Sequence, residues 1–379
     1  MRAIIIDEEI YLPEPVGKQP KYWIIAYDKR FLFKISTLKN DGTPVYNDIS
    51  ECIAEDIASL IGIPAANYYL CESQGKKGVL TFDFLDNVVG KPKKEEFFDG
   101  VYLISQIDPG FKNGSLINPQ THQMYTVDLI LQSIERFGLQ KDVFNMLIYD
   151  ALIGNRDRNP SNYGIIVNHE NRTVRFAPLY DNCTSMGISM VDHRLAKCID
   201  SDGNIVDEEH LNEVVHNHIV GKVTLDRFLQ YKEKRIWDNL EGKRIIDLIE
   251  EKKKEIYPLK EAGLMSSEEY HKQLRKIGNE YRKYDVSKLN YQTLIMYLTN
   301  FYSEEIEETM DKISSVINAD NIDRILGHYA KELPADRLRM AREIILRRGK
   351  WMSEYYALHK HESRGKLLWE KFIYYGIHT

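Results

Sequence analysis

Residues 150–182 read DALIGNRDRNPSNYGIIVNHENRTVRFAPLYDN, a stretch that sets carboxylates and amides among runs a plain core would keep apolar. Asp157, Asn162 and Asp181 stand beside GIIV and VRFAPLY. The pattern predicts a helix ending at Gly154-Asn155, an irregular segment carrying Asp157 and Asn162, and a hairpin whose second strand delivers Asp181. Two oxygen-bearing side chains on one loop, with a carboxylate from a neighbouring strand end, can converge on one hard cation. Mg²⁺ takes oxygen ligands and is shared with substrate phosphates where only one or two carboxylates are supplied. Taken alone, the same residues also read as turn formers, with Asp181 as a helix cap. The rest of the chain has to decide.

The spacing Asp-x-x-x-x-Asn with a downstream Asp is that of a protein-kinase catalytic loop and its metal-binding aspartate. A phosphoryl-transfer site of that kind also needs a strand lysine on the α- and β-phosphates and a helix glutamate to hold it. In KYWIIAYDKRFLFKIS, residues 21–36, two strand-like runs flank Asp28-Lys29. Phe31, Phe33 and Ile35 alternate there with Leu32, Lys34 and Ser36, so Lys34 points off the face opposite the phenylalanines. It meets the first demand, although a snorkelling edge lysine fits the same pattern. NDISECIAEDIASLIGIP, residues 47–64, reads as a helix with Ile53, Ile57, Leu60 and Ile61 on one side, ended by Gly62 and Pro64. Projected at about 100° per residue, Glu51 lies nearer than Glu55 to the apolar side. Glu51 is therefore the expected partner of Lys34, with a capping box to Asp48 as the other reading.

Further strands are expected at YYLCES and KKGVLTFDFL, around the turn Gln74-Gly75, which makes residues 1–86 a small β-rich lobe. Beyond it, residues 87–379 read as a mostly helical lobe. TVDLILQSIERFG and KDVFNMLIYDALIGN carry apolar residues at spacings of three and four, with Asp142 placed to cap the second. The catalytic loop and hairpin fall in 142–190. Helix signals fill 205–379, including Ser266 with Glu269 as a capping box and a stripe of Ile313, Val316 and Ile317.

VGKQPK, LFK, LIGIP, TFDF, LIGNRDRNPSN and APLYDN, in that order, resemble the HipA family of bacterial serine/threonine kinases, most nearly its CtkA-like members. The likeness covers roughly residues 12–190. It implies a bilobed α+β fold related to protein and phosphoinositide kinases, with ATP and Mg²⁺ in the cleft. It also implies that Gly17, Gln19 and Lys21 cover the phosphates, that Lys34 contacts the α- and β-phosphates, and that backbone around Phe82 and Phe84 receives adenine. Asp157 would be the catalytic aspartate, Asn162 a metal ligand and Asp181 the chelator. The departures are Asn159 where HipA proteins carry His, a phosphate loop with one glycine, Asn182-Cys183 in place of Phe-Gly, and no Ala-Pro-Glu. The extra N-terminal subdomain of HipA is not expected here, so CtkA-like kinases are the nearer analogy.

The 51 basic and 57 acidic residues give a net charge of −6 and are interspersed, which argues against nucleic acid or an anionic membrane as direct partner. The four cysteines form no C-x-x-C pair, and no run is apolar for long enough to span a bilayer. A cytoplasmic protein is expected, with secretion into a host cell left open. VVHNHIV would set His216 and His218 on one strand face, too few ligands for zinc, and EEKKKE reads as a solvated helix face. The expected activity is Mg-assisted transfer of phosphate from ATP to serine or threonine of a protein substrate, with autophosphorylation; an antitoxin or host target is open as partner. A lipid or small-molecule kinase and a non-catalytic nucleotide-binding module are the rivals.

Overall fold

The computed structural model describes residues 4–5, 10–13, 20–26, 29–39, 42–114, 116, 118, 120–121, 125–216, 254–266, 269–270, 272–273 and 291–361. Six strands build the front sheet: β1 (Ile4–Ile5), β2 (Ile10–Pro13), β3 (Lys21–Ala26), β4 (Lys29–Ile35), β5 (Tyr68–Ser73) and β6 (Lys76–Phe82), in the order β1-β5-β6-β4-β3-β2. All pairs are antiparallel except β1 with β5. The sequence does not announce β1 and β2, which are too short to show alternation. The alternation expected in β4 is present. Phe33 joins Ile24, Cys71 and Leu80 in a small cluster on one face, with Phe31 and Ile35 against it. Lys34 is paired with Val79 and with Lys21 on the other. Gly78 lets β6 come this close, because a Cβ there would collide with the Lys34 carbonyl.

Helix α1 (Asn47–Ile61) covers that second face. Ile49, Ile53, Ile57 and Ile61 repeat every fourth residue and are buried, and Gly62 ends the helix in the left-handed region at φ 75°. Burying one such side chain contributes about 1.5–3 kcal/mol. The same helix reaches into the other lobe. The Tyr149 hydroxyl donates to Ala54 O at 2.6 Å and the Tyr329 hydroxyl to Asp56 Oδ2 at 2.6 Å. One apolar core accordingly runs through both lobes, from Ile57 to Ile148 and Tyr297.

The larger lobe is organised around α4 (Gln140–Ile153), which follows α2 (Gly100–Ser105) and α3 (Val127–Ile134). From Val143 to Ile153 nearly every side chain of α4 is buried, as befits a helix enclosed by others. Asp142 sits within its first turn and does not cap it; the N-cap position is Leu139, without a side-chain bond. The remaining helices are α5 (Asp192–Leu195), α6 (Glu208–His216), α7 (Tyr291–Val316), α8 (Ala319–Gly327) and α9 (Ala335–His359), of which α7 and α9 pack on α4 while α5, α6 and α8 pack on α9. Buried Arg348 of α9 donates to Ala151 O at 2.8 Å and Val215 O at 3.0 Å, satisfying carbonyls left open at the ends of α4 and α6. In VVHNHIV, Val214 to His216 are not a strand but the end of α6, with the His216 ring 2.7 Å from the Tyr291 hydroxyl, while residues 217–220, His218 among them, lie outside the described residues. The expected Ser266 cap is present, accepting from Glu269 N at 3.1 Å.

A second sheet, β7 (Glu95–Asp99), β8 (Gly164–Asn168) and β9 (Thr173–Phe176), lies across the start of the helical lobe in the order β7-β8-β9. The β8–β9 hairpin is the expected one, whereas β7 is not legible in EEFFD, where charge masks the alternation. No helix among the described residues is long and apolar enough to cross a membrane.

Candidate active site

The residues singled out between 150 and 182 come together through a buried arginine. Gly154, at φ 69°, closes α4 and turns the chain into the loop that carries Asp157. Asp150, in the last turn of α4, is buried at the end of the helix where the macrodipole disfavours a carboxylate. Arg158 answers it with Nε to Oδ2 at 2.8 Å and Nη2 to Oδ1 at 2.9 Å. The remaining donors go to Asn162 O at 2.6 Å, Tyr180 O at 2.9 Å and Asn182 Oδ1 at 2.7 Å. All five guanidinium N–H groups are thereby used. One side chain ties helix, loop and the 180–182 segment together, and with them Asn162 and Asp181.

Within the loop, the Asn155 side chain accepts from Asp157 N at 3.0 Å, and Asn162 Nδ2 donates to Asp157 O at 2.7 Å. The Asn162 Oδ1 atom remains as its free acceptor. The Asp157 side chain is half-buried. Asn159 stands at the start of a single 3-10 turn, where its side chain accepts from Ser161 N at 2.9 Å.

Across the cleft, Lys34 Nζ donates to Glu51 Oε1 at 2.8 Å and to Asp181 Oδ1 at 3.2 Å. Glu51 accepts at its other oxygen from Asn182 N at 2.8 Å, and Asp181 N donates to the Tyr68 hydroxyl at 3.3 Å. Glu51, not Glu55, is the lysine's partner, and the capping-box alternative is absent: Asp48 accepts from Ser36 and from its neighbour's amide. Asp181 holds φ 57°, in the left-handed region that aspartate enters more readily than most side chains.

Burial works to lower the Lys34 pKa, but the carboxylates of Glu51 and Asp181 outweigh it, so the ammonium is held well above the usual lysine range. Lys34, aided by its hydrogen bond, in turn pulls the Asp181 carboxyl below the usual carboxylate range against the opposing effect of burial. Lys21, beside Lys34 on the same sheet face, adds to that pull. Gly17 and Gln19 lie outside the described residues.

The donor set decides which cation fits. Ligand atoms of Glu51, Asp181 and Cys183 lie within 4.8 Å of one another. Both Glu51 oxygens are already taken, however, and burial pushes the Cys183 thiol up, away from the thiolate a soft metal requires. Asn162 Oδ1 and the Asp181 carboxylate, on segments that Arg158 ties together, are oxygen donors of the kind Mg²⁺ takes.

Phe82 and Phe84 part company. Phe82 packs on Phe31 at 4.8 Å and Tyr69 at 5.8 Å, on the face away from Lys34. Phe84 stacks on Tyr180 at 5.7 Å, beside Asp181, and its carbonyl accepts from Arg175 Nη2 at 3.0 Å. Sequence reasoning missed Arg158 and Asp150. The available signal was a lone carboxylate within FNMLIYDALI, which demands a buried cation nearby.

No protein-family model matches the sequence, and no curated protein matches it significantly. Among solved structures the chain is similar to the Helicobacter pylori proinflammatory kinase CtkA, with a TM-score of 0.63 at 15% identity, over 96% of this chain and 100% of that one. It also aligns with HipA of the Shewanella oneidensis toxin-antitoxin system, solved with HipB and operator DNA, at a TM-score of 0.40 and 13% identity, over 92% of this chain and 68% of that one. Placed beside the two sheets, the enclosed α4 and the helices around it, the full-length likeness leads to one conclusion: this chain has the bilobed α+β kinase fold of CtkA.

Proposed function

We propose that the chain is an ATP-dependent kinase that phosphorylates serine or threonine hydroxyls of a protein, itself included. The observation that carries this reading is Lys34 Nζ held between Glu51 at 2.8 Å and Asp181 at 3.2 Å, across the cleft between the lobes. A lysine so held is charged and fixed in place, and a structural ion pair has no need of the second carboxylate. Lys34 and Lys21, with Gly17 and Gln19, attract the phosphates, while the chain between Phe82 and Phe84 receives the adenine.

Asp157 orients the acceptor hydroxyl and takes its proton. Asn162 and Asp181 hold Mg²⁺, which when bound supplies charge neutralisation at the β- and γ-phosphates. Positioning and electrostatics then account for most of the rate.

The test is incubation with labelled ATP and Mg²⁺, alone and with a generic basic protein, for wild type and Asp157→Asn. Labelling should fall by about 10²–10⁴-fold in the variant, as for loss of a general base, with the melting temperature unchanged. Equal labelling in the two proteins overturns the assignment. Phosphoinositide vesicles in a parallel arm separate a lipid acceptor from a protein one, and ATP-dependent thermal stabilisation without labelling identifies a binding-only module.

A further inference from the structure

Glu95, at the start of β7, is a buried carboxylate that the site above does not use. A carboxylate is buried only where donors meet it, and here they come from the strap of residues 83–94 that carries the chain from β6 to β7, and from β9. Glu95 Oε2 accepts from Asp86 N at 2.8 Å and from Arg175 Nη2 at 2.9 Å, and the same Nη2 donates to Phe84 O at 3.0 Å. Asn87 clasps the Glu95 backbone, accepting from its N at 3.0 Å and donating to its O at 2.9 Å. The Phe84 ring is held as well, against Phe97 at 5.4 Å and Tyr180 at 5.7 Å, which places this residue beside Asp181. These contacts fix which backbone groups of the strap can still meet a ligand. Of the four amides from 83 to 86, Asp83 N donates to Arg30 O at 3.0 Å, Leu85 N to Asp83 Oδ1 at 3.1 Å and Asp86 N to Glu95. Phe84 N alone has no acceptor among the described residues. The Phe84 carbonyl, in contrast, is spent on Arg175. In the residue nearest the metal-binding carboxylate, the donor is open and the acceptor is closed.

We propose that Glu95 and Arg175 set the base specificity of the nucleotide site, closing the Phe84 carbonyl and leaving the Phe84 amide to donate to N1 of adenine. Adenine N1 is an acceptor and satisfies that amide. Guanine carries a proton at N1, so it would set donor against donor and find the carbonyl that could accept from it already taken. A site built around one hydrogen bond rejects the analogue that cannot complete it, because the polar group of the site is then left unpaired. Resting on the ATP reading above, the pair adds to it the side chains that choose the base. Neither touches the nucleotide; both act through the strap, so they are positioning residues.

The experiment is calorimetric titration of the full chain with the β,γ-imido analogues of ATP and GTP in Mg²⁺, which report binding without turnover. The proteins are wild type, Arg175→Ala, Arg175→Lys, Glu95→Gln and, as control, Lys94→Ala, which removes an exposed pair with Glu170 on the same strap. Wild type and the control should prefer the adenine analogue by about 10-fold or more, the worth of one hydrogen bond made against one opposed. Arg175→Ala should bring the ratio of the two affinities close to one, because the freed Phe84 carbonyl can then accept from guanine. Glu95→Gln should lower the ratio by a smaller factor, and Arg175→Lys, which keeps a donor for the carbonyl, should restore most of the preference. A purely structural role would weaken both analogues together and leave their ratio standing. Should Glu95→Gln fail to fold, Arg175→Ala decides, since its side chain is 45% exposed. A ratio unchanged from wild type in Arg175→Ala, or a wild type that binds both analogues equally, overturns the proposal and leaves the nucleotide reading intact. A wild type that binds neither analogue overturns the ATP reading, and the base specificity with it.

Discussion

Two buried cations organise the centre of this molecule, and they differ in how completely they are satisfied. Arg158 is fully enclosed and spends five donors on five acceptors, all supplied by the helical lobe. Lys34 spends two of its three donors, on carboxylates from α1 and from the 180–182 segment, and the Asp181 side chain keeps 36% of its surface open. A saturated cation has nothing left to offer a ligand, so Arg158 is scaffold. An unsaturated one beside a second lysine and a half-open carboxylate retains the capacity to bind. The two are coupled because Asn182 serves both, its side chain accepting from Arg158 and its amide donating to Glu51.

The contrast can be broken most severely at the arginine. Arg158→Met strands Asp150 and frees the loop and the 180–182 segment together. Removing one member of a buried pair costs about 3–5 kcal/mol, and denaturant unfolding should read a loss of that order along with all ATP labelling. A normal midpoint would show that the clamp is not a structural necessity. Lys34→Met should reverse the weighting. Labelling is expected to fall by about 10²-fold or more, as when one preorganised donor is removed, while stability falls by only about 1–3 kcal/mol, because Glu51 keeps the Asn182 amide. If Lys34→Met unfolds the protein as readily as Arg158→Met, the distinction between scaffold and binding cation is lost.

The smallest effect lies in the acid limb. Lys34 depresses the folded-state pKa of Asp181, so the stability this group contributes is complete above its unfolded value of about 3.9. That stability is lost as pH falls through the lower folded value. Asp181→Asn should therefore lower the melting temperature above about pH 4 and converge with wild type below it, which flattens the acid decline. Lys34, held above its unfolded value of about 10.4, contributes fully throughout that range, so the difference isolates the carboxylate. An identical acid limb in both proteins would mean the Lys34–Asp181 contact is not maintained in solution.

Much of the arrangement was legible in the order of residues. The alternation of Phe31 and Phe33 with Lys34 placed the lysine on the α1 side, and the helical projection of Glu51 placed a carboxylate opposite it; the 2.8 Å contact follows from those two local periodicities. The hairpin 164–176 announced itself by its turn and its apolar run. What was not legible depends on partners far along the chain. β7 is a strand because β8 pairs with it 65 or more residues away. VVH reads as strand by its β-branched residues and is helix because α9 and Tyr291 pack against it.

The two arginines beside Asp157 draw the line most sharply. By itself the sequence determined that a basic residue flanks the aspartate on each side, and that Asp150 falls in an apolar helix. Only the tertiary structure decided that Arg158 turns inward to that carboxylate while Arg156 remains at the surface beside Arg194. Periodicity is a property of neighbouring residues and survives in the order of letters. Burial of a charge is settled by whichever distant groups arrive to satisfy it, here a helix end, two carbonyls and an amide that meet only when the chain has folded.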